Sequence, residues 1–421
     1  MSVSGDPALL ARAHRALNAR AAGTRAFWLY DLDLVRERAE ALQQHLMPLA
    51  PRLSYALKAN GLPAIARVLH EAGFGADAGS LGELELAREC GFGASARTLS
   101  GNGRTPEEAA WVAQHGVEAV SADTLDELDL LEEVMAGAGT RSHVALRVNP
   151  GIVAGGHRGI ETGHSATKFG MSARQALEAW RSRARWPNLA LDGVHVHVGS
   201  QVAGADPFVA AAQVSLEVVA ECAREGHARA SVTLGGGFAV DYTGAGREPD
   251  LAAIAAGIRA LPGASGVRWC FEPGRWLVAH AGTLVAEVLW DKRRDDPEGE
   301  HRFVVLAAGM NDLLRPALYG ARHRIEPLSP RAGAPTPCDV VGPVCESSDR
   351  FAQGVALPPL ERGDLVAIRD VGAYGAVMSS NYNGRGRLAV VGGEGGRLRL
   401  ARARETAGPG ARDAAETPLE G

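Results

Sequence analysis

The stretch "EAVSADTLDELDLLEEVMAGAGTRSHVALRVNP" (residues 118–150) sets the fold class. A short run of β-formers, "EAVSA" (118–122), gives way to a helical pattern, "TLDELDLLEEVMAG" (124–137). In that pattern Leu125, Leu128 and Leu131 recur along one face, and Thr124 stands where an N-cap is wanted. A second apolar run, "HVALRV" (143–148), follows, and polar Arg147 and Asn149 stand at its end. Strand, helix, strand is the repeating unit of a parallel α/β fold.

The alternation extends in both directions. "LSYAL" (53–57), "FGADA" (74–78) and "RTLS" (97–100) read as earlier strands; "GVHVHV" (193–198), "SVTL" (231–234) and "VRWCFE" (267–272) read as later ones. "LGELELAREC" (81–90) is helical, with Leu81, Leu84, Ala87 and Cys90 on adjoining turns. Eight strands, each followed by a helix or long crossover, predict a (β/α)8 TIM-type barrel over residues 34–282, with a doubly wound open sheet as the alternative. "RTLS" and "EAVSA" are the weakest strands in the count.

From about residue 283 the rhythm changes. "GTLVAEVLWDKR", "HRFVVLAAG", "CDVVGPV", "DLVAIRDVGAY" and "RLAVVGGEGGRLRLAR" are extended runs broken by Gly and Pro, which predicts an antiparallel β domain over 283–401. "RAFWLYDLD" (25–33) supplies that domain with an N-terminal strand, so residues 1–33 join it. Residues 402–421 hold few large apolar side chains and are expected to be a disordered tail.

Composition narrows the function. The 421 residues are 46% hydrophobic and 22% charged with a formal net charge of −5, which fits a soluble globular protein. No basic run is present, so nucleic acid is not an expected partner. No apolar run approaches the roughly 18 residues of a membrane span, and the amphipathic N-terminus does not read as a signal peptide. Cys90, Cys222, Cys270, Cys338 and Cys345 are scattered without a C-x-x-C pair, so a reducing cytoplasm is expected and structural zinc is not.

In a barrel enzyme the functional side chains follow the strands. Here Lys58, Asn102, Arg147, Asn149, His197, Ser200, Gly235, Gly236, Gly237, Glu272 and Arg275 do so. A lysine ending an apolar strand is costly to bury charged; desolvation favours the neutral amine, fit for a Schiff base. The other reading is a rim lysine reaching for water. Gly235–Gly237 lets the backbone approach an anion or makes a tight turn, and Ser200 and the Gly274–Arg275 pair could add phosphate donors. The absence of a Walker lysine and of G-x-G-x-x-G points away from nucleotides. Glu272 suits a metal ligand, a general base, or a carboxylate holding a pyridine nitrogen protonated, with His197 stacked on that ring. "HVH" (195–197) could suggest a metal pair, but no carboxylate lies near it in sequence, and no metal is expected. Lysine, glycine loop, carboxylate and histidine together fit pyridoxal phosphate.

These residues resemble the fold-type III pyridoxal-phosphate decarboxylases, and most closely the diaminopimelate decarboxylases. "YALKAN" (55–60) is similar to the Schiff-base segment and implies Lys58. "HVHVGSQ" (195–201) resembles the segment whose second histidine stacks on the ring, and "LGGGFAVDY" (234–242) the phosphate loop. "EPGR" (272–275) resembles the segment carrying the pyridine-nitrogen carboxylate and a substrate arginine. "AAGMNDLLRPALYGARH" (307–323) implies Arg315 and Tyr319 as substrate ligands; "GPVCESSD" (342–349) implies Cys345 as general acid; "GAYGAVMSSNYN" (372–383) implies Tyr374 as a cofactor and substrate ligand. The matches run from about residue 26 to 390. The family implies a homodimer with shared active sites.

Three departures stand out. The middle of "FGADAGSLGEL" (74–84) is less typical, and "GRGRLAVVGG" replaces the family's usual basic-Pro pair and Glu-Val run. The loop 151–171 keeps His157, Thr162-Gly163 and Lys168-Phe169-Gly170 but is otherwise individual, and is expected to act as a lid.

The resemblance implies decarboxylation of meso-2,6-diaminopimelate to L-lysine. A thiol of ordinary pKa, about 8.5, keeps its proton near neutrality, as Cys345 needs. Arg275 and Arg315 suit carboxylate clamping, and Glu346 suits a distal ammonium. Related ornithine decarboxylases carry an acidic residue in the segment of Arg315, and alanine racemase an arginine at the pyridine nitrogen where Glu272 stands. A decarboxylase of a related carboxylated amino acid is the main alternative, and a racemase a weaker one.

Overall fold

The computed structural model describes residues 5–152, 168–223, 230–246, 248–297 and 299–406. The chain forms two compact units, Val35–Leu277 and Met1–Leu34 with Val278–Gly421. Strand β1 (Ala26–Asp31) belongs to the second of these.

The first unit is a closed parallel barrel of β2 (Arg52–Ala56), β3 (Gly75–Ala78), β4 (Arg97–Leu99), β5 (Ala119–Ala122), β6 (Ser142–Arg147), β7 (Leu189–His195), β8 (Ser231–Thr233) and β9 (Arg268–Phe271). The ring closes where Arg52 and Leu53 of β2 pair with Cys270 and Phe271 of β9. All eight expected strands are present, including the two weakest. β3 is buried along its whole length, as a strand with both faces covered must be. Between strands run helices such as Leu81–Glu89, Pro106–His115 and Leu125–Ala138, started by the side chains of Ser80, Thr105 and Thr124, each of which accepts a backbone N–H three residues on. These caps fix where each βα loop ends. β7 stops at His195, so His197 and Ser200 lie in the loop beyond it.

The second unit is built on one large sheet. Its strands are β1, β10 (Gly282–Asp296), β11 (Gly299–Leu306), β12 (Ile325–Pro327), β13 (Thr336–Val341), β14 (Arg350–Leu357), β15 (Leu365–Arg369), β16 (Ala389–Glu394) and β17 (Arg397–Arg402). The order is β14-β13-β11-β10-β1-β16-β17, and β15 pairs with both β10 and β12. The expected antiparallel domain is therefore a mixed sheet: β1 runs parallel to β16, and β11 parallel to β13. Parallel neighbours need a long crossover. The β11–β13 crossover contains the short helix Arg315–Tyr319, and β1 meets β16 from the far end of the chain. The N-terminal helix Pro7–Arg20 packs Leu9, Leu10, Ala13 and Leu17 onto Phe27, Leu29, Val285 and Val391 of this sheet.

Residues 407–421 and 153–167 lie outside the described residues, so most of the expected tail and lid do too. Residues 402–406 are described, with β17 ending at Arg402.

Candidate active site

At the C-terminal mouth of the barrel a cavity of about 320 Å³ is lined by Lys58, Ser100, Arg147, Phe169, His195, His197 and Glu272, among others. Strand ends β2, β4, β6, β7 and β9 thus converge on one space, as the strand-end reading requires. Lys58 sits on a single 3-10 turn, Leu57–Ala59, that buries Leu57 and Ala59 and leaves the lysine exposed. The expected desolvation by burial is therefore absent: the turn carries Lys58 out of the strand and into the open mouth.

Behind the cavity lies a buried polar cluster. His195 touches Ser121 through Nδ1, and its Nε2 lies 3.2 Å from Glu272 Oε2. Burial pushes Glu272 up, but the His195 charge and hydrogen bond, Lys58 and Arg147 outweigh it and hold the carboxyl below its ordinary value. Asp77 takes the opposite course. Burial first, then the Glu272 charge, push it up to about 7 against Lys58, Ser100 and His195. One carboxylate of the pair is thereby kept ionised and the other is biased to keep its proton. "HVH" does have carboxylates beside it, brought there by β3 and β9. His195 faces them, and His197, lining the same cavity, is held well below its ordinary value by burial, Lys58 and Arg147. Those causes favour the neutral imidazole of His197.

The glycine loop follows β8. Gly235 has φ +63, and a Cβ there would fall on the His197 ring. A Cβ on Gly236 would strike the Glu272 carbonyl, and one on Gly237 the Gly199 carbonyl. Only glycines permit this close approach of two loops. Gln201, at φ 63, ties them together: its amide donates to Val240 O and accepts from Val240 N–H, both at 3.0 Å. The Gly235 and Gly237 carbonyls accept bonds from Glu272 and Val202. Among the described residues, the N–H groups of Gly235, Gly236 and Gly237 donate to no backbone carbonyl. Arg275 donates to Ser200 Oγ at 3.0 Å and to Tyr242 OH at 3.1 Å, which brings Ser200 and Arg275 together. Gly274 is hemmed in by Ala59 and Ala56, at 2.9 and 3.2 Å from a Cβ placed there.

The second unit carries the other candidates. Arg315 is buried and donates to His323 Nε2 at 3.0 Å, while His323 Nδ1 meets Arg369 O at 3.1 Å. Those two contacts assign the Nδ1–H tautomer, which leaves Nε2 as the acceptor. Tyr319 is half-buried on the same short helix. Cys345 and Glu346 are exposed, and Tyr382 OH donates to Glu346. Tyr374 has φ 55, a left-handed conformation uncommon for a bulky residue. It lies between Gly372 and Gly375, where a Cβ would strike Val278 O and the Trp28 ring respectively.

Residues 32–279 match the family model described as "Pyridoxal-dependent decarboxylase, pyridoxal binding domain". The chain is 39% identical over 388 residues to a diaminopimelate decarboxylase of Neisseria meningitidis, covering 92% of this chain and 94% of that one. The chain belongs to the diaminopimelate decarboxylase family. A diaminopimelate decarboxylase of Zymomonas mobilis is 38% identical over 355 residues, covering 84% and 83% of the two chains. The crystal structure of diaminopimelate decarboxylase from Helicobacter pylori complexed with L-lysine superposes with a TM-score of 0.85 at 33% identity, covering 93% of this chain and 96% of that one.

The cofactor of such decarboxylases, pyridoxal phosphate, fits the residues present. The glycine N–H groups and the Arg275–Ser200 pair suit a phosphate, Lys58 suits an aldehyde, and ionised Glu272 suits a protonated ring nitrogen. Sequence reasoning missed Asp77, His195 as the partner of Glu272, and Gln201. Asp77 stood in the open, an acidic residue between alanines on a strand; nothing in the sequence paired it with Glu272.

Proposed function

We propose that this member of the diaminopimelate decarboxylase family removes one carboxylate of meso-2,6-diaminopimelate as CO2 and yields L-lysine. The observation that carries the reading is the convergence of Lys58, Glu272, neutral His197 and the glycine loop at one barrel mouth. When bound, pyridoxal phosphate supplies the electron sink that accepts the pair left behind by the departing carboxylate.

Each residue then has a task. Lys58 would hold the cofactor's aldehyde. Gly235, Gly236, Gly237, Ser200, Gly274 and Arg275 hold the phosphate, and Arg275 also serves the substrate. Glu272, kept ionised by His195, retains a proton at the ring nitrogen. His197, favoured in its neutral form, would border the cofactor without adding charge. Cys345 delivers a proton to the α-carbon. Arg315 and Glu346 hold the distal carboxylate and ammonium, flanked by Tyr319 and Tyr374. Exposure of Cys345 and Glu346 suits side chains that complete a site in a second copy, in keeping with a homodimer. Five free cysteines are in keeping with a cytoplasmic location.

The test is CO2 release from meso-diaminopimelate, L-lysine and L-ornithine. We expect a preference for diaminopimelate of roughly 10²-fold or more, largely abolished in Arg315→Ala. Equal release from ornithine would overturn the substrate, and epimerisation without CO2 would overturn the reaction class.

A further inference from the structure

The exposed Cys345 projects from a loop whose base is pinned by one buried carboxylate. Asp349 is 4% exposed. Its Oδ1 accepts the Met310 N–H at 2.6 Å, and its Oδ2 accepts the Val344 N–H, also at 2.6 Å. Two glycines close the cup around it. A Cβ on Gly342 would fall on both carboxylate oxygens, and one on Gly309 would sit 3.1 Å from Oδ2 and 2.8 Å from Val344 Cγ2. The loop also closes on itself: Gly342 N–H donates to Asp349 O at 3.1 Å, and Asp349 N–H to Glu346 O at 3.1 Å. At its apex the Cys345 N–H donates to Asn383 Oδ1 at 3.1 Å.

These bonds fix where the thiol-bearing loop stands on its own chain. Met310 begins the segment that leads to Arg315, and Val344 immediately precedes Cys345. One carboxylate therefore ties the thiol-bearing loop to the guanidinium-bearing segment. The chemistry of the cup demands a carboxylate. Both oxygens accept from N–H groups, whereas an amide offers one oxygen and would turn its own donors against an N–H.

We propose that Asp349, together with Asn383, is a positioning residue for the Cys345 thiol, holding it in register with the Arg315 segment. The proposal rests on the assignment of Cys345 as proton donor. Proton transfer is steep in geometry, and a displacement of about 1 Å costs on the order of 10²-fold in rate.

The experiment is a double-mutant cycle on the cofactor-loaded enzyme with meso-diaminopimelate, combining Asp349→Asn with Cys345→Ala. Asp349→Asn is expected to lower kcat about 10²-fold, with most of the loss in kcat rather than KM. In the Cys345→Ala background the same change is expected to cost no more than about twofold, because the group it positions is gone. Asn383→Gly, at an exposed position whose φ of 57 suits glycine, is expected to show the same pattern with a smaller loss, and it decides alone should Asp349→Asn fail to fold. Equal losses in both backgrounds, or an unchanged kcat, would overturn the positioning role while leaving Cys345 in place. Full turnover in Cys345→Ala alone would instead remove the proton-donor assignment and the proposal with it.

Discussion

Asp77 is the residue whose replacement tests the buried cluster most directly. Its carboxyl is pushed from an ordinary 3.8 up to about 7, chiefly by burial and then by the Glu272 charge. That difference corresponds to about 4 kcal/mol of unfavourable free energy in the folded, ionised state. The sign follows from proton binding. Between about pH 4 and pH 7 the folded chain holds the Asp77 proton and the unfolded chain has released it, so stability falls as pH rises. The penalty is fully present above about pH 7. Asp77→Asn removes the charge, keeps the size, and retains one oxygen for Thr98 Oγ1, which lies 3.4 Å away. Glu272 adds no slope of its own in this window, since it is already ionised. The variant is therefore expected to gain on the wild type by about 3 kcal/mol between pH 5 and pH 8. Urea titrations of the cofactor-free protein across that range measure the gap. The fluorescence of Trp180, Trp186 and Trp269, all buried in the barrel unit, reports the transition. A gap independent of pH, or a variant less stable at pH 8, would refute the account of the cluster.

Two further outcomes test the cradle and the sheet. Gly236→Ala places a methyl group on the Glu272 carbonyl, and overpacking of about 1–3 kcal/mol is expected to weaken pyridoxal phosphate binding roughly 5- to 150-fold by equilibrium dialysis; unchanged affinity would mean the loop does not cradle the phosphate. Arg302, 5% exposed, holds the half-buried Asp291 carboxylate at 3.0 and 2.7 Å and donates to Leu357 O and Pro358 O, so Arg302→Leu removes the donor from a carboxylate and two carbonyls and is expected to cost about 2–3 kcal/mol in thermal or urea unfolding; a wild-type melting profile would contradict this.

The barrel was legible because each strand carries its own evidence: a short apolar run, a cap such as Thr124, and a polar residue at its end. The lysine, the second histidine and the three glycines followed from that placement alone. Asp77, His195 and Glu272 were not legible as a group, since β3, β7 and β9 are far apart in sequence and only ring closure makes them neighbours. The sheet unit was harder. "RFAQGVAL" (β14) shows no clean alternation and contains Gly354, so no strand was expected there. The parallel pairing of β1 with β16 leaves no local trace. Asp349 sits in a quoted motif, yet its role depends on N–H groups of Met310 and Val344 that no spacing reveals.

The place of β1 has a consequence for how the chain is made. It lies between β10, paired from Ala26 to Ala286, and β16, paired from Phe27 to Ala389. β1 leaves the ribosome ahead of the barrel, is buried along its whole length once folded, and meets its last neighbour about 360 residues later. At about 5–20 residues per second that interval is on the order of 20–70 s. The barrel, contained in a continuous stretch between them, has all its strands in hand well before then. An apolar strand waiting that long is an invitation to wrong partners, and the helix Pro7–Arg20, synthesised just ahead of it and packing on Phe27 and Leu29, is placed to shield it in the meantime.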